Sequence, residues 1–129
     1  MSISKIYNTL ATLALNEFPD IVLHANVMCL STGVDLKLRL DIIDGSFLDV
    51  YMSNSGRYSY HWERRLISQD NIYRHDNAPH KKWRGVSTFP KHFHVGSETN
   101  VVESHLSEKP REALRDFLRF VQQNMKGDK

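Results

Sequence analysis

Residues 34–42 read VDLKLRLDI, with an apolar side chain at every even-numbered position and a charged one at every odd-numbered position. An alternation of period two predicts a strand that buries one face and exposes the other. Asp44-Gly45 follows, and both residues tolerate the positive φ of a tight hairpin turn. Residues 47–52 are therefore predicted to return antiparallel, which makes this hairpin the centre of an antiparallel sheet.

Further strands are predicted on both sides of the hairpin. Residues 21–30 form an apolar run before it, and residues 72–76 form a short apolar and aromatic segment after it. Residues 57–66 alternate in the same way and place their aromatic side chains on one face, at Tyr58, Tyr60 and Trp62. The pattern predicts an antiparallel meander of about five strands.

A helix is predicted at each end of the chain. Residues 2–16 repeat apolar side chains at three- and four-residue spacing, and Pro19 ends that segment. Near the C-terminus, Ser107 is a suitable N-cap with Pro110 in the first turn. The stripe of the closing helix consists of Leu114, Phe117, Leu118, Val121 and Met125. The fold class is therefore α+β, as a single domain over residues 1–129.

The composition excludes several classes of protein. With 40% hydrophobic and 25% charged residues, a wholly disordered chain is excluded. No apolar run of membrane-spanning length occurs and the N-terminus lacks the continuous apolar segment of a signal peptide, so we expect a cytoplasmic protein without a membrane partner. Cys29 is the single cysteine, which excludes a disulfide framework, and its apolar surroundings predict that it is buried.

Positive charge and histidine are concentrated in one part of the chain. The net charge of the protein is +2, but residues 57–91 carry eight basic and three acidic residues. Five of the seven histidines also fall within residues 57–96. Residues 77–96 show no periodicity, and loops of that length in a compact domain are commonly functional. We therefore place the functional segment at about residues 57–96.

Histidine next to cations suits RNA cleavage without a metal ion. Neutral imidazole transfers protons near neutral pH, and arginine or lysine stabilises the charge that develops on a phosphate. The candidate catalytic residues are His61, His80, His92 and His94. The candidate nucleic-acid contacts are Arg57, Arg74, Lys81, Lys82, Trp83 and Lys91, where the tryptophan would stack on a base.

The strand register leaves one question open at this stage. Either Arg74 or His75 shares the sheet face of His61, because a shift of one residue exchanges the two faces. The following segment contains Asp76, Asn77 and Pro79, residue types that make and stabilise turns. These three are predicted to form a structural turn that holds His80 at the edge of the sheet.

Two other functions fit the same residues. The histidine-rich loop would serve equally as an interface of a non-catalytic binding or regulatory protein. A metal-dependent hydrolase is the third hypothesis, with His92 and His94 joined by His80 or His75 as ligands. The region lacks cysteine and has no glutamate at a familiar helical spacing, so the sequence predicts neither a metal nor another cofactor.

Four segments of the chain resemble the TumE-type toxin family of toxin–antitoxin systems. They are DGSFL at 44–48, YSYH at 58–61, YRHDNAPH at 73–80 and TFPKHFHVG at 88–96. The positions that match the family pattern are His61, Asp76, Asn77, His80, His92 and His94. The chain departs from the pattern at Lys81, where a second histidine commonly stands, and in the segment 82–85.

The resemblance implies the toxin component of a two-gene module, held inactive by a small cognate antitoxin encoded nearby. It also implies inhibition of growth, for which RNA is the expected target. Together with the histidine chemistry, this predicts an endoribonuclease toxin. The sequence leaves the oligomeric state open, with a dimer as one of the possibilities.

Overall fold

A computed structural model describes residues 2–68 and 71–126. These residues form one antiparallel sheet of seven strands whose spatial order is the order in the chain. The strands are β1 (Val22–Cys29), β2 (Asp35–Ile42), β3 (Phe47–Met52), β4 (Tyr58–Glu63), β5 (Ile72–Asp76), β6 (His92–Val95) and β7 (Val101–Glu103). Helix α1 (Ile3–Glu17) precedes the sheet and α2 (Pro110–Lys126) follows it.

The α+β class and the helix at each end are confirmed, but the expected number of five strands is wrong. The five predicted strands are β1 to β5, and the sheet continues into β6 and β7. Sequence periodicity misses β6 because it has only four residues and because its buried members, His92 and His94, are polar. Strand β7 has three residues, too few for any alternation to be recognised.

Both helices lie on the same face of the sheet, which we call the covered face. Helix α1 packs on β1 and β2, and α2 packs on α1 and β4. The register aligns Leu40, Leu48 and Trp62 across β2, β3 and β4, and all three are fully buried there. We call the opposite side, which carries no helix, the free face.

The alternation of residues 34–42 overstates the buried part of β2. Leu38, Leu40 and Ile42 are buried as expected, but Val34 is 59% exposed and Leu36 is 41% exposed. This end of β2 lies beside the first turn of α1, where Ser4 Oγ donates to Asp35 Oδ2 at 2.5 Å. Because α1 begins there, the helical layer does not extend over Val34 and Leu36. Cys29, expected to be buried, is exposed because it ends the edge strand β1.

The helix termini follow local capping chemistry. Ser2 Oγ accepts a hydrogen bond from the Lys5 amide at 3.2 Å and caps α1. Helix α2 begins at Pro110 and not at Ser107, because proline favours the first helical position, where its missing amide hydrogen costs nothing. Within the two described ranges, neither helix combines the length and apolar character that crossing a membrane requires.

Candidate active site on the free face of the sheet

The register of β3 to β6 places a row of polar side chains across the free face. Asp49 pairs with His61, His61 with Arg74, and Arg74 with His94. Since each pair lies directly opposite across neighbouring strands, the four side chains are neighbours on one face. The sequence left open whether Arg74 or His75 shares the sheet face of His61, and the register shows that it is Arg74.

His75 lies on the covered face, opposite Tyr60. Its ring stacks on Phe93 with centroids 3.8 Å apart, and its Nδ1 lies 2.7 Å from Ser104 Oγ. Desolvation by burial, together with the charge of Lys91, lowers the pKa of His75 to about 4. His75 is therefore a neutral core residue, separated from the other histidines by the sheet.

A cleft of about 570 Å³ opens on the free face beside this polar row. Its floor is formed by Ser59, Arg74, Asp76 and His94, and its rim by residues of the β3–β4 hairpin, of the loop after β5 and of the β6–β7 connection. The rim residues are Tyr51, Arg57, Tyr58, Asn77, Ala78, His80, Lys82, Trp83 and Glu98. Two of the four candidate catalytic histidines, His80 and His94, therefore line one cavity.

Arg74 forms ion pairs with both carboxylates that line the cleft. Its Nε donates to Asp76 Oδ2 at 3.0 Å, and its Nη2 donates to Glu98 Oε1 at 2.6 Å. Burial alone would lower the pKa of Arg74, but its bonds to Glu98 and Asp76 outweigh that effect and raise it. The same bond to Arg74 lowers the pKa of Glu98, so both groups stay charged.

His61 lies beside the cleft and both of its ring nitrogens have partners. Its Nδ1 is 3.3 Å from Arg74 Nη1, and its Nε2 is 3.1 Å from Glu63 Oε1. Because a guanidinium can only donate, Nδ1 accepts and Nε2 carries the proton that binds Glu63. Burial, reinforced by the charge of Arg74, lowers the pKa of His61, so the neutral ring is favoured.

Asp76 meets both histidines of β6. Its Oδ1 lies 3.1 Å from His92 Nε2, and its Oδ2 lies 3.6 Å from His94 Nε2. His92 is fully buried and His94 is 3% exposed, although both lie on the free face. Trp83, in the short 3-10 helix Lys81–Trp83, covers them with its ring centroid 5.7 Å from that of His94. Burial and the neighbouring Arg74 lower the pKa of His94.

The segment predicted to be a turn is held by side-chain bonds. Asn77 Oδ1 accepts from the Tyr58 amide and Asn77 Nδ2 donates to the Gly56 carbonyl, both at 2.9 Å. Asp76 Oδ1 accepts from the Ala78 amide at 3.0 Å. These bonds connect the end of β5 to the β3–β4 hairpin, and they leave Pro79 and His80 exposed at the rim.

The candidate nucleic-acid contacts divide into two groups. Arg57, Arg74, Lys82 and Trp83 line the cleft, and Lys82 Nζ lies 4.8 Å from the centroid of the Trp83 ring. Lys81 is exposed on the same 3-10 helix but is outside the lining. Lys91 also lies outside it, where its Nζ donates to the Leu106 carbonyl at 2.7 Å and pairs with Glu108 at 3.5 Å.

Sequence reasoning missed two acidic members of this site. Asp76 was assigned to a turn, yet it also contacts Arg74, His92 and His94. Glu98, in the β6–β7 connection, was not singled out at all. The two-residue spacing of Arg74 and Asp76, repeated in His92 and His94, is the signal that would have placed each pair on one face of its own strand, and the register then brings the two pairs together.

The molecule is thus an α+β protein with one helix-covered sheet face and an open, cationic, histidine-lined cleft on the other. The chain belongs to the TumE toxin family, since the family model described as Toxin TumE matches residues 10–125, nearly its whole length. This match confirms the resemblance that the sequence motifs indicated and supports a toxin function. Comparison with curated proteins and with solved structures gave no match.

Proposed function

We propose that this chain is the toxin of a toxin–antitoxin pair and that it inhibits growth by cleaving RNA in the cleft, with no metal ion in the reaction. Family membership supports the toxin role. The observation that carries the RNA proposal is the grouping of unpaired cations, aromatic rings and an exposed histidine around one cavity.

The cations at the rim and the neighbouring Lys81 are suited to bind a polyanion. Arg57, Lys81 and Lys82 are exposed and have no ion-pair partner within the described part of the chain. By contrast, Lys37 and Arg39 at the other end of the same face both pair with Asp49, at 2.9 and 2.8 Å. When unpaired cations bind the phosphates of a nucleic acid, the counterions condensed on that nucleic acid are released, and this release favours binding.

The aromatic side chains of the rim supply a second recognition element. Tyr51 is 41% exposed and Trp83 is partly exposed, and both line the cleft. Single-stranded RNA presents unpaired bases that stack on such rings. A duplex cannot offer its bases in this way, so a single-stranded segment is the proposed substrate.

His80 is the proposed proton-transfer residue. Its side chain is exposed, lines the cleft and makes no hydrogen bond within the described residues. The RNA supplies its own nucleophile: the 2′-oxygen bonds to the adjacent phosphorus, the bond from phosphorus to the 5′-oxygen breaks, and a 2′,3′-cyclic phosphate results. His80 accepts the 2′-hydroxyl proton and later returns it to the solvent, while the departing 5′-oxygen, on the opposite side of the phosphorus, takes a proton from water. Arg74 stabilises the phosphate charge.

His61 supports the same reaction from outside the cleft lining. Its bond to Arg74 orients the guanidinium, and its bond to Glu63 determines which nitrogen carries the proton. We assign it as a positioning residue. His61→Gln is therefore expected to weaken RNA binding without changing the pH profile of kcat, whereas a shifted profile would restore the proton-transfer role that the sequence predicted.

Expression in a heterologous bacterium tests the proposal directly. The wild type is expected to arrest growth and fragment RNA, and His80→Ala to abolish both. His105→Ala, a change at an exposed histidine away from the cleft, is the matched control and should behave as wild type. If His80→Ala remains equally toxic at equal expression, His80 is not the proton-transfer residue.

Purified protein separates the remaining parts of the proposal. Cleavage is expected to continue in EDTA, to fall by a factor of about 100 or more in His80→Ala, and to leave a cyclic phosphate end. An RNA carrying a single 2′-deoxy nucleotide at the cleaved position should resist cleavage there. Loss of cleavage in EDTA would contradict metal independence, and cleavage of the deoxy substrate would contradict the 2′-hydroxyl mechanism.

The alternative is a binding protein that uses the cleft as an interface. The exposed cations Arg57, Lys81 and Lys82 would pair equally well with an acidic segment of the small antitoxin implied by the family. Intact RNA, together with stoichiometric co-purification of the product of the neighbouring gene, would favour this function. An active nuclease whose cleavage is blocked by that product would instead place the antitoxin over the cleft.

A further inference from the structure

We propose that Asp76, His92 and His94 form a binding site for one divalent transition-metal ion, with Zn²⁺ as its representative. A carboxylate oxygen and two imidazole nitrogens lie within 4.8 Å of one another. Nitrogen and oxygen donors of this kind are ordinary zinc ligands. The proposal differs from the three-histidine set considered from the sequence, because Asp76 replaces His75 or His80.

Backbone carbonyls determine the tautomer of both imidazoles. His92 Nδ1 lies 2.8 Å from the Pro90 carbonyl oxygen, and His94 Nδ1 lies 2.9 Å from the Glu98 carbonyl oxygen. A carbonyl can only accept, so each Nδ1 carries the proton and each neutral ring keeps its lone pair on Nε2. Metal-binding histidines are commonly oriented by such a bond at the other nitrogen.

Both Nε2 atoms lie close to Asp76, whose ionised carboxylate can only accept. His92 Nε2 lies 3.1 Å from Asp76 Oδ1, and His94 Nε2 lies 3.6 Å from Asp76 Oδ2. A tetrahedral zinc ion with bonds of 2.0–2.2 Å separates its ligand atoms by about 3.4 Å. The two observed nitrogen–oxygen distances lie on either side of that value, and the three donor atoms lie within 4.8 Å of one another.

His92 Nε2 is the second, independent sign of a ligand. His92 is fully buried, and its Nε2 has no hydrogen-bond partner of acceptable geometry within the described residues. A buried polar atom without a partner is costly and rare in folded proteins. A cation between Nε2 and the carboxylate would satisfy it.

The surroundings of the site can accommodate the added charge. Asp76 also binds the Arg74 guanidinium through Oδ2 and the Ala78 amide through Oδ1. Glu98 pairs with Arg74 at 2.6 Å and neutralises the charge of the guanidinium. The negative charge of Asp76 is therefore left to balance the charge of a bound cation. The competing explanation is a direct contact between His92 Nε2 and the Asp76 carboxylate that involves no metal.

Trp83 provides a spectroscopic probe within the molecule. Its ring centroid lies 6.1 Å from that of His92 and 5.7 Å from that of His94, whereas the other tryptophan, Trp62, is buried on the covered face. Co²⁺ bound at the site is expected to quench the fluorescence of Trp83 and to show visible absorption. Trp83→Phe should remove the quenching and keep the absorption.

The test uses untagged full-length protein and Zn²⁺ in competition with a chromophoric chelator. We expect one equivalent per chain, and a higher thermal midpoint with Zn²⁺ than after EDTA treatment. Asp76→Asn and His94→Gln should each weaken binding at least tenfold. His105→Gln, a change at an exposed histidine that also contacts a carboxylate, should bind as wild type.

Two results would overturn the site. The first is folded wild-type protein that takes up no stoichiometric Zn²⁺ at micromolar concentration, which would leave the direct contact between His92 and Asp76 as the explanation. The second is unchanged binding in both variants, with circular dichroism confirming that they fold. None of these measurements uses RNA. The metal site and the proposed RNA cleavage can therefore each be disproved without affecting the other.

Discussion

The two tryptophans lie on opposite faces of the sheet and have different environments. Trp62 on the covered face is fully buried, its Nε1 donates to Ser46 Oγ at 2.8 Å, and its ring stacks on Tyr73. Trp83 is partly exposed at the cleft beside His92, His94 and Lys82. The comparison shows that the covered face supplies stability, whereas the free face carries charged and polar groups available to a ligand.

The largest expected effect tests this division with one substitution at each tryptophan. Trp62→Ala should lower the free energy of unfolding by about 3–5 kcal/mol, because it leaves a large cavity and removes the hydrogen bond from the indole to Ser46. Trp83→Ala should lower it by about 1 kcal/mol, as expected for a partly exposed side chain. Urea denaturation of both variants measures the difference. Equal losses would contradict the division between the two faces.

The next largest effect concerns acid stability. His75 is buried neutral, with a pKa of about 4 against an ordinary 6.5. The unfolded chain therefore binds more protons between these pH values, and the free energy of unfolding falls as the pH drops from 6.5 to 4, by about 3 kcal/mol from this group. In His75→Phe, that part of the pH dependence should disappear.

His105→Gln is the control for this titration, because the side chain of His105 is 76% exposed. Urea denaturation at a series of pH values between 4 and 7 measures the slope in each protein. A slope in His75→Phe equal to that of the wild type would show that His75 is not the group responsible.

A smaller effect is expected where the loop after β5 joins the hairpin. Asn77→Ala removes the two bonds to Tyr58 and Gly56, and should lower the free energy of unfolding by about 1–2 kcal/mol. Asn54→Ala, at an exposed turn position, should change it by less than about 0.5 kcal/mol. RNA cleavage should fall in Asn77→Ala, since the loop carries His80. Unchanged stability would mean that these bonds do not hold the loop.

The smallest effect on stability is expected at Lys82. Lys82→Ala should change the free energy of unfolding by less than about 0.5 kcal/mol, because the side chain is exposed. It should nevertheless weaken RNA binding and reduce the slope of log K against log salt by about 1. Lys5→Ala, at an exposed position in α1, should leave the slope unchanged. Equal slopes in all three proteins would remove Lys82 from the interface.

The regular part of the fold could be predicted because its signals are local. Alternation in 34–42 and the Asp44-Gly45 turn located the central hairpin, where Gly45 has the expected φ of 92°. Strand β6 could not be found in this way. Its polar residues, His92 and His94, are buried by contacts with Trp83 and Asp76, and no local pattern in the sequence encodes those contacts.

Local patterns and motifs in the chain were enough to predict the α+β class, the central meander, both helices, the family and the segment that contains the candidate site. They could not show that Arg74 and not His75 joins His61, or that Asp76 lies close to both His92 and His94. The physical reason is register. Period-two alternation shows which residues share a face of one strand, but the hydrogen bonds between strands decide which faces and which residues meet.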